Sequence, residues 1–533
     1  MAAGAVAQGG GTGVPQAAGP QAGQAALEWD YDVLLQGGRV LDPANDLDAV
    51  RDIGIRGGKI VAVGRKLSPK RARRVLSVSG KLVLPGLVDI HVHGFGYFGS
   101  LGLEEHAFMN GTTTVVDAGG GGWKTFDGLE QALRPRPRGR FGFPGGLGDA
   151  GGGFGGPPGG GTRPGSLEAP RTPGGSGGVG GNRTGGGTPG APGNAGPRGP
   201  GDRTGGGAGG AGGPGGGGGF DPARQGAFQS PRLRTYAFLN IVGEGMVGGR
   251  AENNMADMDA EKAAACVAAH PDLLIGIKTA HFGGPTGEQG WTAVDRAVKA
   301  GQLCGKPVMV DFQPRPDRPY PELLLKRMRP HDIHTHVFAQ HFPVLDESGK
   351  VQSYMWEARR RGIIFDVGHG GGSFWFRVAA PAIQQGFYPD SISTDMHKTS
   401  IMIPQSTMPM VMSKLLNLGM PMREVVLRST VHPARQISHP ELGTLSVGAD
   451  ADVSVFELEE GDFGFVDSGH AGMRGKKRLR CHLTLRNGLV AFDLNGLSWK
   501  DWRQAGQYRD LDQYGQERRR GFRRPAGTPN PMP

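Results

Sequence analysis

Pro85-Gly-Leu-Val-Asp-Ile-His-Val-His93 sets a short apolar run directly before two histidines spaced one residue apart. Alternate residues of a strand point to the same side, so His91 and His93 send both imidazoles to one face. Two imidazoles on one face suit Zn2+ or a similar borderline cation.

Outward from that run the pattern repeats. Thr113-Thr-Val-Val-Asp117, Leu274-Ile-Gly-Ile-Lys278, Pro307-Val-Met-Val-Asp311, Asp332-Ile-His-Thr-His336, Ile363-Ile-Phe-Asp-Val367 and Ser391-Ile-Ser-Thr-Asp395 are apolar runs with polar residues at their ends, separated by helical stretches. Strands alternating with helices over this length predict an α/β fold, a (β/α)8 TIM-type barrel. Functional groups of such barrels gather at the C-terminal ends of the strands, where His91, His93, Lys278, Asp311, His336 and Asp395 fall. An ammonium turned into a barrel is costly unless paired or neutral. Lys278 is therefore either half of an ordinary ion pair or a neutral amine that reacts with carbon dioxide to give a carbamate bridging two cations.

Shorter strands flank this region. Asp32-Val-Leu-Leu35, Arg39-Val-Leu41, Asp52-Ile-Gly-Ile55 and Lys59-Ile-Val-Ala-Val63 alternate with Gly-Gly turns, and a second set lies at Asp452–Phe456 and Leu483–Phe492 around the Asn487-Gly488 hairpin signal. The two sets are expected to pair into one small β-sandwich domain made from both chain ends. The organisation read from the sequence is a disordered leader at 1–30, sandwich at 31–82 and 439–497, barrel at 83–133 and 230–438, a Gly/Pro/Arg-rich flexible insertion at 134–229, and a basic tail at 498–533.

The insertion holds much of the chain's 98 glycines but no strict Gly-X-Y period, which excludes a collagen helix. It also carries +6 of the formal net charge of +10, and the stretch from Gly515 to Pro533 carries the other +4. The remainder is close to neutral, which argues against a nucleic-acid-binding face. Cys266, Cys304 and Cys481 are far apart, so neither a disulfide framework nor a thiolate metal site is indicated. No apolar run is long enough for a membrane helix and no signal-peptide pattern opens the chain, so a cytoplasmic protein without a membrane partner is expected.

The order His-X-His, Lys, His, Asp at successive strand ends resembles the amidohydrolase superfamily. Within it, the chain is most similar to metallohydrolases of the amidohydrolase/deacetylase type, and more distantly to dihydroorotases and D-aminoacylases. The resemblance is carried by Pro85–His93, Gly111–Gly119, Gly276-Ile-Lys278, Thr335-His336, Asp366-Val-Gly-His-Gly370, Ser393-Thr-Asp-Met-His397 and Leu442–Asp452. It implies a centre of two Zn2+ ions per chain. His91, His93 and Asp395 would hold one, a carboxylated Lys278 would bridge, and His336 would bind the second.

Relatives place a further histidine at the end of the fifth strand, where this sequence has Asp311. Three outcomes are open: Asp311 is an oxygen ligand, which is the preferred one; another imidazole substitutes, His334 before His281; or the second ion binds weakly. The resemblance further implies that bridged cations activate a shared water, that one polarises the scissile carbonyl, and that Asp395 carries the water proton to the leaving group. His369 and His334 are candidate substrate contacts, and Asp117 a support behind the ligands. The expected substrate is a small acylated molecule whose carbon–nitrogen amide bond is cleaved; a cyclic amide or an acyl ester is the alternative. A reading of another class is a metal-depleted, non-catalytic assembly protein. Homo-oligomers are compatible with all of these.

Overall fold

The computed structural model describes residues 29–134, 231–247, 254–281, 283 and 286–504, without the side chains of His281 and Glu288. The expected leader, insertion and basic tail lie outside the described residues, apart from 29–30, 134 and 498–504.

Two sheets organise these residues. The first joins the two ends of the chain. Its strands are β1 (Tyr31–Asp42), β2 (Leu47–Arg56), β3 (Lys59–Gly64), β4 (Ala72–Ser77) and β5 (Leu82–Pro85) from the N-terminal side. From the C-terminal side come three more, to be numbered β13 (Val453–Val466), β14 (Gly472–Arg486) and β15 (Leu489–Asp493) in chain order. They hydrogen-bond in the order β15-β14-β13-β5-β1-β2-β3, with β4 alongside β1. The seam between the two ends is the antiparallel pair β5 and β13, where Val83 faces Val455. Alternating apolar residues, among them Val33, Leu35, Ile53, Val83, Val455 and Leu483, form one buried cluster, as a half-buried sheet requires. The β13–β14 hairpin is longer than the sequence pattern suggests, because Glu457 to Arg480 continue it in a run of charged residues without clean alternation.

The second sheet is parallel. It runs through β6 (Leu87–Val92), β7 (Thr112–Gly122), β8 (Arg234–Asn240), β9 (Leu274–His281), β10 (Val308–Phe312), β11 (Ile333–His334) and β12 (Ile364–Phe365), each pairing with the next. Every residue of β6, β7 and β10 is buried, the mark of a sheet covered on both faces. Helices Ala260–Ala269 and Thr292–Cys304 contribute to the covering through buried stripes at helical spacing, Ala263, Ala264 and Val267 in one, Ala293, Val294, Ala297 and Val298 in the other. The second of these helices stops at Gly305, which caps it at φ 65°.

The sheet curls. One segment touches both of its edges: Ser391 pairs in parallel with Asp366, just beyond β12, and Met396 pairs in parallel with Val92 of β6. Ser391 to Asp395, expected as a strand, makes only these isolated bridges. β11 is likewise shorter than Asp332–His336. His336 at φ 64° and Asp395 at φ 46° leave the extended region. Among the described residues no helix is long and apolar enough to cross a membrane.

Candidate metal centre

The strand ends open on one cavity of about 520 Å3, lined by His91, His93, Lys278, Asp311, His336 and Asp395 together with Tyr97, Met246, His397 and the Gly371–Ser373 turn. Register explains the convergence. Lys278 pairs with Asn240 on one side and Met309 on the other, which leaves Asp311 two residues further along β10 on the same face. β7 gives way to Lys278 at Gly119, whose φ is 85° and where a Cβ would stand 2.6 Å from the lysine Cβ.

Donor atoms are gathered at ligand-like separations. His93 Nε2 lies 2.9 Å and His91 Nε2 3.6 Å from Asp395 Oδ1, while His336 Nε2 lies 3.2 Å from Asp311 Oδ2. Two donors each about 2.0–2.2 Å from one cation, at tetrahedral or octahedral angles, stand roughly 3–3.5 Å apart. His91, His336 and Asp395 each offer one atom within 4.8 Å of the others, so the two groups adjoin. Among the described residues, Asp311 Oδ1 and His93 Nδ1 are buried without a hydrogen-bond partner. An orphaned carboxylate oxygen at such a cluster is costly in a closed protein and is what a cation would satisfy. The donor set therefore fits divalent metal.

Hydrogen bonds behind the imidazoles fix their tautomers. Thr335 donates to Asp366 Oδ2 at 2.8 Å, so its oxygen is free to accept from His91 Nδ1 at 2.9 Å. His336 Nδ1 donates to the carbonyl of Gly368 at 2.6 Å. Both rings thus carry their proton on Nδ1 and present the Nε2 lone pair to the cavity. Asp366 also accepts from Ser391 and Ser393 hydroxyls at 2.6 and 2.7 Å. Asp89 accepts from the Thr394 hydroxyl at 2.6 Å and so steadies the residue before Asp395.

Charge follows from burial and neighbours. Burial alone would raise the Asp395 carboxyl, but the His93 hydrogen bond and surrounding imidazoles outweigh it and hold the group below its ordinary value. Asp311 is likewise depressed against its burial, by His336 and Lys278. His91 is pushed well below the usual histidine value by burial and by Lys278, which keeps it neutral. Gly370, at φ 51°, backs this arrangement: a methyl there would overlap Asp395 Oδ2.

Two expected substrate contacts are placed elsewhere. His369 is fully buried, stacks on Phe374 at 4.6 Å between ring centres, and accepts from Lys414 Nζ at 2.8 Å through Nε2, so it faces away from the cavity. His334 is held by the Tyr320 hydroxyl at 2.7 Å among Phe342 and Phe365 and is not among the residues that line the cavity. Its Cα lies in β11, two residues before the turn at His336 that carries that ring inward. The side chain of His281 lies outside the described residues. Asp117 accepts from the backbone N–H groups of Gly94, Phe95 and Gly120 and thereby pins the turn after His93.

The sequence reading assigned no role to His397, Tyr97, Thr335 and Lys414. His397 carried a signal, since it follows Asp395 at the spacing that marked His91 and His93. Its Nδ1 is bound to the Thr399 hydroxyl at 3.0 Å and its ring stands 5.3 Å from that of Tyr97. Lys414 also carried one, as the lone charge in the apolar run Met408–Leu416.

A curled parallel sheet that collects imidazoles and carboxylates at its strand ends is the architecture of metal-assisted α/β enzymes. No protein-family model matches the chain. It is 33% identical over 424 residues to a deacetylase of Agrobacterium fabrum, covering 78% of the chain and 81% of the relative. It is 33% identical over 253 residues to a deacetylase of Brucella anthropi, covering 47% of the chain and 62% of that protein, less than two thirds of its length. The crystal structure of an adenine deaminase shares the fold, with a TM-score of 0.63 at 22% identity, over 87% of this chain and all of that one. The chain belongs to the amidohydrolase superfamily.

Proposed function

We propose that the chain is a metal-dependent hydrolase that cleaves the amide bond of a small N-acyl substrate, a deacetylase-type reaction. The observation that carries this reading is the convergence of His91, His93, Asp395, His336, Asp311 and Lys278 on one cavity. On the same reading the curled sheet is a (β/α)8 barrel, closed by Ser391–Met396, and the sheet of both chain ends is its companion sandwich.

His91, His93 and Asp395 would hold one cation, Asp311 and His336 a second, with Lys278 between them as a carbamate. When bound, such cations supply a water-derived nucleophile at neutral pH and polarise the substrate carbonyl. The chain's own contribution is acid–base chemistry and positioning. Asp395, ionised and with its side chain 13% exposed, accepts the proton of the attacking water on its carboxylate and passes it to the departing amine nitrogen. The amide carbon–nitrogen bond breaks as that nitrogen is protonated, and a carboxylic acid and an amine leave. Tyr97, His397 and Gly371–Ser373 wall the approach and orient the acyl group.

The deacetylases at 33% identity support an acyl group as the part of the substrate that is removed. The donors gathered in one cavity speak against a metal-depleted assembly role. Hydrolysis assays over N-acetyl amino acids, cyclic ureides and acyl esters test the proposal, with Asp395→Asn as control. Turnover of an N-acetyl amino acid that the variant abolishes supports it. Turnover confined to the cyclic ureides or the esters overturns the bond assignment, and none on any substrate overturns the hydrolase reading.

A further inference from the structure

The donor atoms around the cavity are divided unevenly. One group is rich in nitrogen: His91 Nε2 and His93 Nε2 converge on a single carboxylate oxygen of Asp395, at 3.6 and 2.9 Å. The other group has one imidazole and one carboxylate, His336 Nε2 at 3.2 Å from Asp311 Oδ2. Its second oxygen, Asp311 Oδ1, is buried and has no hydrogen-bond partner among the described residues. His334 adds no nitrogen here, because it is tied to Tyr320 in an aromatic shell. A carbamate at Lys278 would add oxygen to both groups alike and leave the difference intact.

Ligand type sets relative metal preference. Imidazole suits zinc, whereas carboxylate oxygen suits manganese and magnesium. Zinc exceeds manganese in raw affinity at most sites, so replacing nitrogen by oxygen narrows its advantage, and availability then decides occupancy.

We propose that the two positions differ in metal preference: the His91–His93–Asp395 position selects zinc, and the Asp311–His336 position accepts a harder cation, with Mn2+ as its probe. The inference rests on the metal-centre reading above. Asp311 is the residue that sets it, through the charge and hardness of its oxygens.

The test is metal content and manganese spin resonance on the full chain, expressed with manganese in excess over zinc and purified without chelator. The wild type is expected to carry one zinc and one manganese per chain. Asp311→His, which exchanges the oxygen donor for nitrogen, should lose the manganese signal and gain a second zinc. Asp311→Asn, which keeps shape but removes the charge, should lose the manganese and keep the first zinc. Two zinc ions and no manganese in the wild type, unchanged in Asp311→His, would overturn the inference while leaving the metal centre standing. A wild type that retains no metal would overturn both. The wild-type stoichiometry decides the question even where a variant fails to fold.

Discussion

His336 Nε2 stands 3.2 Å from Asp311 Oδ2, and the opposite ring nitrogen of His336 is locked on the Gly368 carbonyl at 2.6 Å. The imidazole therefore has one free orientation and one free lone pair, both committed to the place where Asp311 offers its oxygens. Burial lowers the affinity of His336 for a proton, yet Asp311 more than compensates and raises it. A cation would substitute for that proton.

His336→Ala should remove one of two bound cations without disturbing the His91–His93–Asp395 group. The expected loss of turnover exceeds the roughly 10–100-fold typical of residues that only support a ligand. Metal analysis and steady-state kinetics on the same preparation check this.

Thr335 links His91 to Asp366, accepting at 2.9 Å from one and donating at 2.8 Å to the other. Thr335→Val keeps the volume but breaks the link and frees the His91 ring. Metal affinity, measured by competition with a chromogenic chelator, is expected to fall by about 10–100-fold. Thr335→Ser should restore it, and equal affinities in all three proteins would remove Thr335 from the account.

Gly370 lies at φ 51°, with its α-carbon against Asp395 Oδ2. Gly370→Ala adds a methyl where the carboxylate stands, in a conformation that costs an L-residue about 1–2 kcal/mol. Denaturant unfolding should show at least that loss, and kcat should fall as Asp395 is displaced. A fully active, equally stable variant would contradict the placement of that carboxylate.

Much of the site was legible because ligands sit at strand ends and strands announce themselves by apolar runs. His91, His93, Lys278, Asp311, His336 and Asp395 needed only that rule, and all six line the cavity. The rule does not decide His369 and His334, because position along a strand does not say which way a ring turns. That is decided by partners remote in sequence, Lys414 for one and Tyr320 for the other. The left-handed backbone at His336 and Asp395 is also invisible to periodicity.

Lys414 offers a pH test. Its ammonium is fully buried, bonded to His369 Nε2 and the Pro404 carbonyl at 2.8 Å each, and burial lowers its pKa from 10.5 to about 7, opposed by Asp467. Between those values the unfolded chain binds more protons than the folded one, so stability rises with pH across the window, and below pH 7 the penalty is present in full. The wild type should gain stability relative to Lys414→Met from pH 7 towards 10, by an amount on the order of a few kcal/mol. A difference independent of pH would mean that Lys414 keeps an ordinary pKa.

The most direct test of the central claim is the number of divalent cations per chain, measured together with hydrolysis of N-acetyl amino acids before and after chelation. Two cations per chain are expected, with turnover lost on their removal and regained on their return. Protein that holds no metal and hydrolyses its substrate undiminished would contradict the account.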